Sequence, residues 1–159
     1  GLDITVLGLA QADEAGNLNV SKFGARLTGP GGFINITQSA KKVVFCGSFM
    51  AKSKVLVQDG KLVIAEEGKA KKFIRQVEQI TFSGPYARPD QTILYVTERC
   101  VFQLIGGKMT LIEIAPGIDL ERDILAHMDF VPVLAQNLKT MDPAIFQEHW
   151  GGLGQSIRA

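Results

Sequence analysis

Gly29-Pro-Gly-Gly-Phe-Ile-Asn-Ile-Thr-Gln-Ser-Ala-Lys-Lys-Val-Val-Phe-Cys46 runs a glycine-rich turn, a short helical stretch and an apolar strand together without a break. The strand reads as continuous from Lys42 to Phe45, which is the pattern of a strand buried on both faces of an α/β sheet. The residues before it, Ile34 to Lys41, predict a short helix that begins directly after Gly31-Gly32. Working outward, further runs rich in Val, Ile and Phe predict strands at Ile4–Leu7, Val55–Val57, Leu62–Ile64, Val77–Phe82, Ile93–Val96, Cys100–Leu104 and Met109–Ile114. Asp59-Gly60 between two alternating runs predicts a tight hairpin, because a type I′ turn needs positive φ at both centres. Gly106-Gly107 predicts a second one. Asp119 is placed to cap a helix reaching Met128, with Leu120, Ile124, Leu125 and Met128 on one face. A weaker helix starts near Asp142-Pro143, and residues from about 137 to 159, above all from His149 onward, read as a loosely structured tail. The expected architecture is a single α/β domain over 1–159, with an open, mixed, strand-rich sheet flanked by helices.

Composition narrows the functional classes. The 159 residues are 46% hydrophobic and 21% charged, a globular and not a disordered balance. Seventeen Lys and Arg against sixteen Asp and Glu leave a formal net charge of +1, which gives no whole-molecule attraction to nucleic acid. No apolar run approaches the roughly 18 residues of a membrane span, so no membrane partner is expected and the expected compartment is the cytoplasm. Cys46 and Cys100 each lie in an apolar run and are expected to be reduced and buried. Two isolated histidines, His127 and His149, offer no metal-ligand spacing, so no metal site is expected. The chain opens on Gly1 and enters a strand pattern almost at once, which is the look of a piece of a longer polypeptide.

Three stretches carry possible chemistry. The loop Thr28–Ile36 lets a backbone approach a ligand closely and aims N–H groups at it, whether a phosphate or a developing oxyanion; its plain alternative is a tight turn. Lys69, Lys71, Lys72 and Arg75 form either an anion-binding patch or, with more weight, a solvated strand end. Glu98-Arg99 sits between apolar residues as a turn salt bridge or a buried functional pair. Glu67-Gly68, in a polar stretch, is a poor candidate for a nucleophilic carboxylate.

Four runs, taken together, resemble the C-terminal, beta-subunit-like portion of a family I coenzyme A-transferase of the single-chain short-chain acyl type. They are Gly8–Gly24, Gly29–Phe45, Tyr95-Val-Thr-Glu-Arg-Cys-Val-Phe102 and Ile114-Ala-Pro-Gly-Ile-Asp-Leu-Glu-Arg-Asp-Ile-Leu125, in register from about Asp3 to Phe130. The resemblance implies the CoA-transferase (NagB/RpiA-like) architecture. It also implies CoA moving between a short-chain acyl-CoA and a free carboxylic acid through a glutamyl-CoA thioester, with coenzyme A as substrate and no permanently bound cofactor. The family's glutamate belongs to a Glu-x-Gly motif that would lie upstream of Gly1, so no catalytic nucleophile is expected within these residues. What the resemblance assigns here is a CoA and oxyanion contact at Gly29, Gly31, Gly32, Phe33 and Asn35. The expected partners are an acyl-CoA, a short-chain carboxylate, an N-terminal CoA-transferase half docking on an exposed apolar face, and further copies of the chain in a homo-oligomer. A stand-alone domain that binds CoA or a protein without chemistry is the main alternative. A sugar-phosphate isomerase of related open-sheet architecture is a weaker one.

Overall fold

The computed structural model describes residues 1–150 and 152–158. Its larger strands are β1 (Ile4–Gly8), β2 (Lys42–Cys46), β3 (Lys54–Gln58), β4 (Lys61–Glu66), β5 (Thr92–Val96), β6 (Cys100–Ile105), β7 (Lys108–Ile114) and β8 (Val133–Thr140), with helices α1 (Phe33–Ser39) and α2 (Leu153–Arg158). Six of the strands form one mixed sheet in the order β1-β2-β5-β6-β7-β8. β1, β2 and β5 run parallel, β5, β6 and β7 are successively antiparallel, and β8 returns parallel to β7.

The turn chemistry does what the sequence predicts. Asp59 and Gly60 take φ of 53° and 74°, closing the β3–β4 hairpin, and Gly106 and Gly107 take 58° and 75° between β6 and β7. The apolar alternation sorts the two faces. Phe45, Tyr95 and Phe102 are fully buried on one face, where Phe33, Phe49, Phe73, Phe82, Ile124 and Met128 cover them. Phe45 is the centre of this layer, with ring centroids 5.1 Å from Phe82, 5.4 Å from Tyr95 and 5.8 Å from Phe33. The opposite face holds a smaller cluster of Leu62, Val101, Ala115, Met141 and Phe146, with Leu94 and Val96 against it.

Four expectations need correcting. Val77–Phe82 is not a strand: Val77 and Phe82 are buried, but the Val77 amide donates to the Asp13 carboxylate (3.3 Å) and Phe82 pairs only through an isolated bridge to Leu18. The apolar spacing there records burial without a ladder. Asp119 does cap a helical turn, accepting from the Arg122 amide at 2.8 Å, yet Leu120–Ile124 is a π turn and Leu125–His127 a 3-10 turn. The Asp123 carbonyl, which a continuing α-helix would use, accepts instead from the Arg99 guanidinium at 2.9 Å. The segment from 137 is no loose tail, since Asn137–Thr140 completes β8, Pro143–Phe146 is a 3-10 turn, and Met141 and Phe146 are buried. Polar residues on the exposed side of an edge strand hid it. Leu153–Arg158 is helical, and Gly151 lies outside the described residues. Finally, Cys100 is buried but Cys46 is exposed, because as the last residue of β2 it points to the less covered face.

Candidate functional site

The glycine loop stands at the surface, with every residue from Gly24 to Gly32 exposed. Gly31 takes φ of 56°, which only glycine adopts without strain. A Cβ placed on Gly29 or Gly31 would meet nothing within 4 Å, and one on Gly32 would reach only the Ile36 side chain, its Cδ1 at 3.4 Å. The loop is thus open on its outer side, while its inner side is tied down: the Phe33 ring is buried and stacks on Phe45 at 13° between planes. Phe33 is therefore an anchor of α1, and its own N–H is spent on the Pro30 carbonyl at 3.1 Å. Of the residues singled out in the sequence, Gly29, Gly31, Gly32 and Asn35 share one exposed surface. Phe33 lies beneath them. The amides of Gly29, Gly31, Gly32, Ile34 and Asn35 have no protein acceptor among the described residues, so the donors this loop can offer include those of Gly31 and Gly32. Alongside α1 runs a cleft of about 390 Å³ lined by Ile34, Thr37, Phe82, Ser83, Tyr86 and Arg88, with Tyr86 almost wholly exposed at its rim.

A second centre is formed by Arg99, whose side chain is completely buried. Its guanidinium makes a two-pronged pair with Glu67, Nη2 to Oε1 at 2.6 Å and Nη1 to Oε2 at 3.0 Å, and lies 5.1 Å from the centroid of the Phe49 ring. Glu98 accepts from the Phe49 amide through Oε2 at 2.8 Å. Its other oxygen lies 3.4 Å from the Arg99 Nε without hydrogen-bond geometry, and both atoms are buried without a partner. His127 Nε2 reaches Glu67 Oε2 at 3.3 Å. Burial pushes the Glu67 carboxyl up, but hydrogen bonds from Arg99 and the Gly68 amide, with the charges of Arg99 and His127, outweigh it and hold it below the ordinary range. Asp123 is likewise held low, first by its hydrogen bonds from Arg122. A carboxylate so fully engaged is a poor nucleophile, so Glu67 serves the architecture. The pairing of Arg99 with Glu67, 32 positions away, and of Glu98 with the Phe49 amide, 49 away, was beyond sequence reading; the one available signal was an arginine inside an apolar run.

The basic stretch does not form a single patch. Lys71 pairs with Asp129 at 2.9 Å, whereas Lys72 donates to the Ser48 carbonyl at 2.7 Å. Burial drives the Lys72 ammonium's pKa down, and Glu98 opposes it. Among the described residues no group of three or more His, Cys, Asp or Glu is arranged to hold a metal ion, and no helix is long and apolar enough to cross a membrane.

The depressed carboxyls set a pH dependence. A group whose folded pKa lies below its unfolded value contributes stability above the unfolded value, and loses it as pH falls through the folded one. The denaturant midpoint is therefore expected to be level between pH 7 and about 5 and to fall below about pH 4, where unfolded Glu and Asp take up protons. Replacing Glu67 with Gln should flatten part of that fall, as followed by urea unfolding at several pH values.

The site thus sits on an open sheet with parallel strands at one side, with a glycine loop leading into the helix between β1 and β2 and a buried arginine clamp. Similarity to known proteins gives this arrangement a family. The chain is 65% identical to the caffeate CoA-transferase of Acetobacterium woodii over 96% of its own length and 30% of that relative's. The crystal structure of the acyl-CoA transferase YdiF apoenzyme from Escherichia coli O157:H7 superposes with a TM-score of 0.92 and 46% identity, covering 96% of this chain and 30% of that one. The same enzyme is also known as a thioester complex with CoA. The acetate CoA-transferase subunit beta of Escherichia coli K12 is 32% identical over 75% of this chain and 46% of that relative. No family model matches. The chain is a homologue of the coenzyme A-transferases, and it spans about 30% of the length of the first of these relatives.

Proposed function

We propose that the whole protein is an acyl-CoA:carboxylate CoA-transferase, moving CoA between a short-chain acyl-CoA and a free carboxylic acid in the cytoplasm. The observation that carries this reading is the 65% identity to a caffeate CoA-transferase across nearly the whole chain. In it, a glutamate outside these residues attacks the acyl-CoA carbonyl and expels CoA as thiolate, leaving an acyl-glutamyl anhydride. The thiolate then attacks the glutamyl carbonyl and releases the first acid, which gives a glutamyl-CoA thioester. The incoming carboxylate reverses the sequence, so no atom is gained or lost and no redox cofactor is needed. Each stage develops negative charge on a carbonyl oxygen, and fixed N–H donors stabilise it.

This chain contributes those donors from the loop. Gly31 and Gly32 offer their amides, Gly29 and Asn35 shape the approach, and Phe33 fixes α1 against Phe45 so that the loop is held in place. The open space around the glycines and the adjoining cleft support that role. Acyl-CoA, a short-chain carboxylate, the rest of the enzyme and further copies of the whole protein are the partners in this reading. The test separates loop chemistry from folding. Gly32→Val meets only the Ile36 side chain, so the melting temperature should stay within a degree or two, while turnover in the complete enzyme falls about 100-fold as the backbone donor is screened. Unchanged kinetics would remove the loop from the mechanism. Intact-mass spectrometry with acetyl-CoA should find a covalent adduct on the complete enzyme outside residues 1–159, and an adduct mapped within them would overturn the placement of the nucleophile.

A further inference from the structure

A crevice opens beyond the carboxyl ends of β1 and β2, the end of the parallel strands at which open α/β sheets present their ligands. Its volume is about 380 Å³, and Leu9, Gln11, Phe23, Ser48, Ala70 and Lys72 line it. Short ladders hold the walls: Gln11-Ala12 pairs with Leu18-Asn19, and Ala70-Lys71 with Met50-Ala51. The Ala12 amide donates to the Lys72 carbonyl at 2.9 Å, which ties the lysine to the wall that carries Gln11. Phe23 is the residue before the exposed loop of Gly24 to Gly32.

The Lys72 ammonium donates to the Ser48 carbonyl at 2.7 Å and reaches the Ser48 hydroxyl at 3.4 Å. The N–H of the same peptide, that of Phe49, donates to Glu98 at 2.8 Å. The two polar groups of a trans peptide point in opposite directions, so Glu98 lies across that peptide from the lysine and is not its ion-pair partner. Gly47 permits the approach, since a Cβ there would lie 3.0 Å from the Lys72 Nζ and 2.6 Å from the Leu9 carbonyl oxygen. Three donors are left without an acceptor among the described residues. They are the third N–H of Lys72, the Ser48 hydroxyl, and the side-chain nitrogen of Gln11, whose own oxygen accepts from Asn19 at 2.8 Å. Lys71, the other cation of the crevice, is engaged by Asp129, and no carboxylate is among the described lining residues. Burial strips the Lys72 ammonium of part of its water and lowers its pKa, a cost that an anion beside it offsets. One full positive charge and two neutral donors against apolar walls suit a single carboxylate on a short apolar chain. A diphosphate carries more charge and calls for more cations.

We propose that this crevice is the carboxylate subsite of the transferase, in which Lys72, Ser48 and Gln11 hold the free acid by its two oxygens while Leu9, Phe23 and Ala70 face its chain. The subsite thereby tells the free acid from the thioester of the same acyl group, because only the acid brings a charge for Lys72 to meet. This inference rests on the function proposed above.

The test uses the complete enzyme with acetyl-CoA as donor and propionate as acceptor. Lys72→Met should raise the KM for propionate about 10- to 100-fold, the range for losing a hydrogen bond to a charged group, and leave the KM for acetyl-CoA within about twofold. The dissociation constant of propionate, read by calorimetry without acetyl-CoA, should rise by the same factor. Ser48→Ala keeps the Ser48 carbonyl for Lys72 and should raise the propionate KM about tenfold, so it carries the test if Lys72→Met does not fold. A propionate KM that stays level in the folded variants overturns the proposal. So does a rise confined to acetyl-CoA, which would give the crevice to a CoA phosphate, and so does an equal rise in both, which would mark a general disturbance. An enzyme without transferase activity that still binds propionate through Lys72 counts against the function alone. An active one whose propionate affinity ignores Lys72 counts against the subsite alone.

Discussion

Replacing Arg99 with Met is expected to lower stability by about 3 kcal/mol, the low end of what breaking a buried ion pair costs. The low end applies because Glu67, the partner left behind, is one-third exposed and can recover water. Other losses fall in places water does not reach: the Asp123 carbonyl loses its donor and the Phe49 ring its cation. At roughly 2–4 °C per kcal/mol for a chain of this size, the melting temperature should drop by about 10 °C. Arg99→Lys is not expected to rescue it, since one ammonium cannot span both Glu67 oxygens and the carbonyl together. The combined Arg99→Met and Glu67→Gln variant should be more stable than the sum of the two single losses predicts. Strict additivity in such a cycle would mean that the pair contributes nothing as a pair.

Gly84→Ala is expected to cost at least as much, for a different reason. A Cβ at Gly84 would lie 2.1 Å from the Ala15 carbonyl oxygen and 2.9 Å from the Gly16 carbonyl carbon, so backbone must move. The opposing turn cannot yield easily. The buried Asp13 carboxylate holds the amides of Ala15 and Asn17 at 3.1 and 3.0 Å, Asn17 in turn accepts from the Gly84 amide at 3.1 Å, and the Tyr95 hydroxyl donates to the Gly16 carbonyl. Overpacking of this kind costs about 3 kcal/mol. A melting temperature within 2 °C of the parent would show that this turn is softer than its hydrogen bonds indicate.

The parts legible in sequence are those set by local chemistry. The β3–β4 and β6–β7 turns followed from Asp59-Gly60 and Gly106-Gly107, whose backbone needs are met by few residues. The Asp119 cap followed from residue type and β2 from its apolar run, but burial on both faces of β2 did not follow, since Val44 is only half-buried and Cys46 is exposed. Two of the failures share a cause: they are places where a distant group outbids the local preference. Arg99 draws the Asp123 carbonyl out of a helix, and Asp13 draws the Val77 amide out of a strand. β8 escaped notice because it is an edge strand with Gln136, Asn137 and Lys139 exposed, so half its pattern is polar. At the loop, sequence supplied the glycines and the family resemblance the role proposed for them, but not the division of labour in which Phe33 anchors and its neighbours remain free.

The order of strands across the sheet, β1 through β8 with only the β3–β4 hairpin set aside, is also their order along the chain. A polypeptide made from its amino end can therefore add each strand to one already in place, with no gap to be reserved for a later arrival. Domains form from the N-terminal side during synthesis at about 5–20 residues per second. The span from β1 to β8 then emerges within seconds to half a minute, each strand after β1 meeting a neighbour already made.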